Sequence, residues 1–379
     1  MKKYLFGSAI ATLMLAACSD DQTVDAPASA NEISFQASLE NVSRANTEPG
    51  YPPSEFAVTA IGNDANFFTD LMIRGGKGSP YKPSDGGAYH FPNYHLTFFA
   101  YSPVDFGGTP EIAPESRKLT GVTVKDKPED HVDLLVAEDS REALGSTTNT
   151  VSMKFKHAMS AVQVRVTSTN PAMKYDVAGI RLACIKSTGD FTYPVLADDY
   201  DLELSNSDWS NLSGPKTFTS SNTSPVQFIG SANSPSSYTA MKEGWPYAFK
   251  IIPQNLSKSG AWTKGATADG AYIAIKCKMW VRDNQYNTLS QFFPEKGDKY
   301  GLVAVPVNIN FEPGKFYTIT VDMANGGRLD PAPGAVSDPD IDPDPLPGKK
   351  GGDLVSNGDI RISHSFNPFI ETDNVNKPF

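Results

Sequence analysis

Apolar and polar residues alternate with a period of two over much of this chain. Ile33, Phe35, Ala37 and Leu39 are interleaved with Ser34, Gln36, Ser38 and Glu40, the pattern of a strand with one buried face. Similar segments follow at EFAVTAI (55–61), HLTFFAYSP (95–103), GVTV (121–124) and HVDLLVA (131–137). Between them lie clusters of Gly, Pro, Ser and Asp such as RGGKGSPYKPSDGG, which is turn and loop chemistry. A second series opens with VSMKFKHAMSAVQVRV, where Phe155, His157 and Met159 share one parity and Val162, Val164 and Val166 the other. That phase flip near Ser160-Ala161 predicts a β-bulge. Further strands are expected at 178–185, 226–229, 247–252, 272–281, 302–309 and 315–323. No long stretch carries a helical period, so the chain is expected to be all-β and built of sandwiches. The pattern shifts near 149–151, after a loop of Gly, Ser, Thr and Asn, which places a domain boundary at 150/151.

Both ends depart from this pattern. Lys2 and Lys3 precede an apolar run, Tyr4 to Met14, too short to cross a bilayer as a mature helix. The run closes in Leu15-Ala16-Ala17-Cys18, small residues before a cysteine that resemble the bacterial lipobox. Residues 1–18 therefore read as a lipoprotein signal peptide, with Cys18 as the lipidation site. At the other end, residues 329–350 (LDPAPGAVSDPDIDPDPLPGKK) are rich in Pro and Asp. Such a segment is expected to be an extended spacer, about twenty residues reaching ~60 Å at ~3.1 Å each. Ile360, Ile362, His364 and Phe366 beyond it form one more alternating strand.

Composition narrows the function. A net charge of −10 and 11% aromatic residues fit a β-rich extracytoplasmic protein and argue against a nucleic-acid partner. No phosphate loop, nucleophile elbow or HExxH zinc motif occurs, and the five histidines are scattered. Asp338, Asp340, Asp342 and Asp344 superficially suggest calcium. An EF-hand needs glycine at its sixth place and glutamate at its twelfth, where this chain has Pro343 and Lys349. No catalytic residue, metal or cofactor is expected. Cys184 and Cys277 lie in strand-like segments, and an oxidising compartment permits either a disulfide or two plain buried thiols.

Five segments together resemble the Bacteroidales fimbrillins (Mfa-like, type V pilins). They are LAAC at the lipobox, ISFQASLENVSRA, HLTFFAYSP, FKHAMSAVQVRV and INFEPGKFYTITVDM with its long tail. The resemblance implies two β-sandwich domains of transthyretin-like topology, at 45–150 and 151–328, and a donor-strand tail at 329–379. It also implies an assembly route. The precursor is held in the outer membrane by its lipid, and an arginine-specific protease cuts between Arg44 and Ala45. Loss of 19–44, with the plug strand Ile33, Phe35, Ala37 and Leu39, opens a groove. The groove is then filled by a donor strand carrying Ile360, Ile362 and Phe366 from another fimbrial subunit. The implied product is a surface fimbrium that supports adhesion. Two other roles compete with a stalk subunit: a tip or accessory adhesin, and a non-polymerising lipid-anchored binder of glycans or proteins. An exposed aromatic platform would favour the last, but Trp209, Trp245, Trp262 and Trp280 are dispersed in sequence.

Overall fold

The computed structural model describes residues 31–39, 52–76, 78–141, 149–195, 202–233, 235–241, 248–257, 262–263, 270–283, 287–332, 337–356 and 358–368. Among these, regular structure is β apart from two three-residue turns of 3-10 helix. Cys18, Arg44 and Ala45 lie outside the described residues, as does the end of the plug beyond Leu39.

Seven strands close into a barrel. They are β1 (Ser34–Leu39), β2 (Glu55–Gly62), β3 (Ala65–Gly76), β4 (Ser79–Pro83), β5 (Leu96–Ser102), β8 (Leu135–Arg141) and β9 (Thr150–His157), in the order β1-β4-β3-β2-β5-β8-β9. The missing numbers, β6 (Thr109–Ala113) and β7 (Ser116–Thr123), belong to a second body. There they extend an eight-stranded sheet with β11 (Met173–Thr192), β12 (Trp209–Ile229), β16 (Tyr272–Asp283), β17 (Thr288–Phe293), β18 (Gly301–Pro306) and β21 (Arg328–Leu329). A five-stranded sheet completes that body. It holds β10 (Ser160–Thr167), β13 (Tyr238–Thr239), β14 (Phe249–Ile251), β20 (Lys315–Asp322) and β22 (Arg361–Pro368). Two short strands, β15 (Gln254–Asn255) and β19 (Asn310–Phe311), pair with each other.

The pairing divides the chain otherwise than at 150/151. β9 lies past that point but completes the barrel, and β6–β7 lie before it but pair with β11. The chain thus crosses between the bodies three times: after β5, after β7 and after β9. The expected bulge at Ser160-Ala161 is the last of these crossings. His157 ends β9, Ser160 begins β10 in another sheet, and Ala158 and Met159 are buried in the second core. The phase flips because the chain changes core.

Barrel strands β2, β5 and β8 are covered on both faces, which explains their long apolar runs. Phe98 and Ala100 point into the barrel core, whereas Phe99 and Tyr101 join the second core. At this joint the Tyr193 hydroxyl donates to the Ala100 carbonyl at 2.8 Å. The Arg117 guanidinium sits 5.3 Å from the centre of the Phe99 ring. Glu138, opposite Phe99 in register, is 4% exposed, and its Oε2 has no hydrogen-bond partner among the described residues. Burial pushes its carboxyl up to about 7.

The Pro/Asp arm is not an extended spacer. Leu329 and Asp330 are buried, and Asp330 Oδ1 accepts from the Tyr272 hydroxyl at 3.0 Å. Farther on, Ile341 is buried beside Tyr300, and Lys276 Nζ reaches Asp338 at 2.8 Å and Asp340 at 3.5 Å. Apolar residues between the prolines and a lysine under the aspartates hold the arm down. Cys277 is buried opposite Val177, while Cys184 follows the Ala183–Tyr272 pair at the other end of β16, and the two are not bonded to each other.

Candidate functional site: the first strand and its seat

The first strand, β1, behaves as its alternation dictates. Ile33, Phe35 and Leu39 are buried, Ala37 is half-buried, and Ser34, Gln36 and Ser38 face outward. Phe35 packs edge-to-face on Phe56 and Phe98, with ring centres 6.4 and 6.2 Å apart. Burying three large side chains contributes roughly 5–9 kcal/mol gross. On the outer face, Ser34 Oγ lies 3.0 Å from Thr150 Oγ1, and Gln36 Nε2 donates to Ser152 Oγ at 2.8 Å.

Its two flanks are unequal. Along β9 it runs parallel through six consecutive register pairs, Ser34↔Thr150 to Leu39↔Phe155. Along β4, one pair, Phe35↔Tyr81, falls among the described residues. The entry is fixed by Ile33 N–H donating to Tyr89 O at 2.7 Å and Phe91 N–H donating to Asn31 O at 2.9 Å. Removing β1 would open the barrel between β9 and β4 and uncover Phe56, Phe98 and Phe155. An unpaired edge beside an apolar groove invites strand addition.

Strand β4 is the part that sequence reasoning missed. Its residues, SPYKP, fall inside the segment read as loop because Gly and Pro crowd around them. Tyr81 is the signal that was available: its ring packs 5.7 Å from Phe56, its hydroxyl donates to Pro53 O at 3.0 Å, and burial raises its pKa.

The tail strand β22 lies on its own body, at the edge of the five-stranded sheet. It pairs antiparallel with β20 through eight register pairs, Arg361↔Asp322 to Pro368↔Lys315. Ile360 is buried, Ile362 is half-buried, and His364 and Phe366 are exposed. Phe366 packs against Tyr317 and under Lys315 Nζ, 4.4 Å from its ring centre. Arg361 approaches Asp322 at 3.5 Å, and Arg328 holds Asp359 at 2.5 Å. With one buried apolar side chain and one half-buried, this docking is worth on the order of 2–4 kcal/mol, less than half the burial of β1.

His157 and His95 are held in local polar pairs. His157 Nδ1 lies 2.8 Å from Asp133 Oδ2 as a buried core pair, and His95 Nε2 lies 3.0 Å from Ser140 Oγ. Among the described residues no group of His, Cys, Asp or Glu is placed to hold a metal, and no helix is long and apolar enough to cross a membrane.

Comparison with known sequences decides the family. Residues 54–332 match the profile described as fimbrillin-like. The chain belongs to the fimbrillin-like family. The family consists of structural pilus subunits rather than enzymes, and implies a place in a cell-surface fimbria assembled with other subunits. The match leaves both β1 and β22 outside it. No curated protein matches this fimbrillin-like sequence. Among solved structures it is similar to a fimbrial protein from Bacteroides vulgatus, 13% identical, covering 89% of this chain and 99% of that one with a TM-score of 0.47. It is also similar to the fimbrial anchor protein Mfa2 from Porphyromonas gingivalis, 11% identical, covering 78% and 92% with a TM-score of 0.31.

Proposed function

We propose that this chain is a polymerising subunit of a surface fimbria, exported as a lipoprotein and activated by loss of β1. Lipid on Cys18 holds the precursor in the outer membrane. An arginine-specific protease cuts between Arg44 and Ala45, and β1 leaves with the anchor. The vacated seat accepts the tail strand of a neighbouring subunit, and this chain's own segment Asp359–Phe366 enters the seat of another.

The observation that carries this reading is the contrast between the two terminal strands. β1 fills a core with three large side chains yet, among the described residues, is paired with β4 at one position. β22 has the same alternation but buries little where it lies. A strand that gains burial by moving into a vacated seat has a driving force for exchange.

Mass spectrometry of the protein from its native cells tests the route. The expected N-terminus of the assembled form is Ala45, and that of the precursor is diacylated Cys18. Arg44→Ala is expected to fold and to accumulate as a lipid-bearing monomer. Normal filaments from that variant would sink the proposal.

A further inference from the structure

The seat of β1 is not uniform along its length. Phe35 and Leu39, two residues either side of Ala37, are buried, and across the parallel pairing Ala37 faces Met153 and Leu39 faces Phe155. The fully buried ring of Phe56 lies 6.4 Å from that of Phe35 and 5.1 Å from that of Phe155. It also lies 5.7 Å from the ring of Tyr81, on the opposite flank. One phenylalanine thus reaches the ring of Phe35 on one side of Ala37 and, on the other, that of Phe155, the partner of Leu39. The strand that fills the seat carries large buried side chains at its first, second and fourth inward positions, and a half-buried methyl group at its third.

This chain's own tail does not have that shape. Laid over Ile33, Phe35, Ala37 and Leu39, the tail brings Ile360, Ile362, His364 and Phe366, so an imidazole falls on the small position. Moving the tail two residues either way puts Ile362 or Phe366 there instead, and reversing its direction puts Ile362 there. Where the tail now lies, His364 meets no such limit: it is exposed beside Tyr317, ring centres 6.5 Å apart.

We propose that the β1 seat selects a donor strand with a small residue at its third inward position, so that this subunit receives the tail of a different subunit and not of its own kind. The proposal rests on the strand-exchange reading above. An imidazole beside Met153, between the buried Phe35 and Leu39, would crowd the core and draw a polar ring toward an apolar interior. The donor it fits reads large, large, small, large at alternate positions, with Gly, Ala or Ser third.

Two measurements test this. In the intact chain, Ala37→His is expected to lower the melting temperature, and Ala37→Ser to leave it within a degree or two. Equal melting temperatures for Ala37→His and the natural chain would overturn the small position. For exchange, the chain is cut at Arg44 with an arginine-specific protease and offered synthetic strands, with uptake followed by native mass spectrometry. The probes are residues 31–41, the same peptide with Ala37→His, the tail 358–368, and that tail with His364→Ala. The natural 31–41 peptide and the His364→Ala tail are expected to enter, each about tenfold or more better than its histidine-bearing counterpart. Equal uptake within each pair would overturn the selectivity while leaving exchange intact. Failure of all four, including the seat's own sequence, would overturn exchange itself.

Discussion

Phe35 and Phe98 meet edge to face, 6.2 Å between ring centres, and so tie the first strand to the middle of the barrel. Phe35→Ala is expected to cost about 3–5 kcal/mol, the usual range for truncating a buried aromatic. Phe366→Ala in the tail, where the ring is 52% exposed, is expected to cost under ~1 kcal/mol. Paired denaturant titrations check this. Equal losses would mean that the tail is as firmly built in as the plug.

The tail can be tested by one-residue spacing. Ile362 packs on the core and Ser363 points outward, and a strand delivers the same faces to any seat it enters. Ile362→Asp is expected to block polymerisation while the monomer stays folded, because a carboxylate in an apolar groove is costly. Ser363→Asp is expected to assemble normally. Electron microscopy of both variants, with circular dichroism of the monomers, separates the outcomes.

Glu138 gives a pH dependence with a definite sign. Its carboxyl is pushed up to about 7 by burial in the joint, so the folded form holds its proton more tightly than the unfolded form. Its contribution is therefore most favourable below about pH 4.5 and is lost as pH rises to about 7. Glu138→Gln is expected to be more stable than the natural chain at pH 8, by up to ~3 kcal/mol. The advantage should vanish below about pH 4.5. Burial depresses His131 to about 4, which acts in the opposite direction, so the test is the difference between the two proteins across pH. A constant difference would show that ionisation of Glu138 is not the cause.

Lys276 is the pin under the arm. Its ammonium holds Asp338 at 2.8 Å, and the pairing draws the Asp338 carboxyl below the usual carboxylate range despite partial burial. Lys276→Met is expected to keep the sheet packed but to release residues 337–342. Hydrogen exchange there should rise several-fold while β11 and β16 stay protected. Unchanged exchange would mean that the buried Ile341 and the backbone bridge to Tyr300 fasten the arm without it.

Much of this architecture was legible because alternation is a local signal. β1, β9 and β20 each bury one face, and their parities read correctly from the residues; in β22 Ile362 packs on the core, whereas His364 and Phe366 of the same parity are exposed. EFAVTAI and HLTFFAYSP were found as strands, but their double covering was not, since a continuous apolar run does not say which body covers each face. The pairing of strands across 150/151 was not legible for the same reason: nothing local to β6–β7 announces a partner as distant as β11. The arm misled because proline and aspartate dominate its composition, while Leu329 and Ile341, which anchor it, are few. The small residue Ala37 is legible in the first strand itself, but the rings that line its surroundings, Phe56 and Phe155, are supplied by other strands.

The three crossings between the bodies have a mechanical consequence. Tension entering through a strand held in the barrel and leaving through the tail passes between the bodies along three covalent strands, not a single tether. A protease that severs one crossing leaves two intact, so the halves stay joined. A fimbria made of such units would wear like a stitched seam, in which one broken thread does not open the fabric.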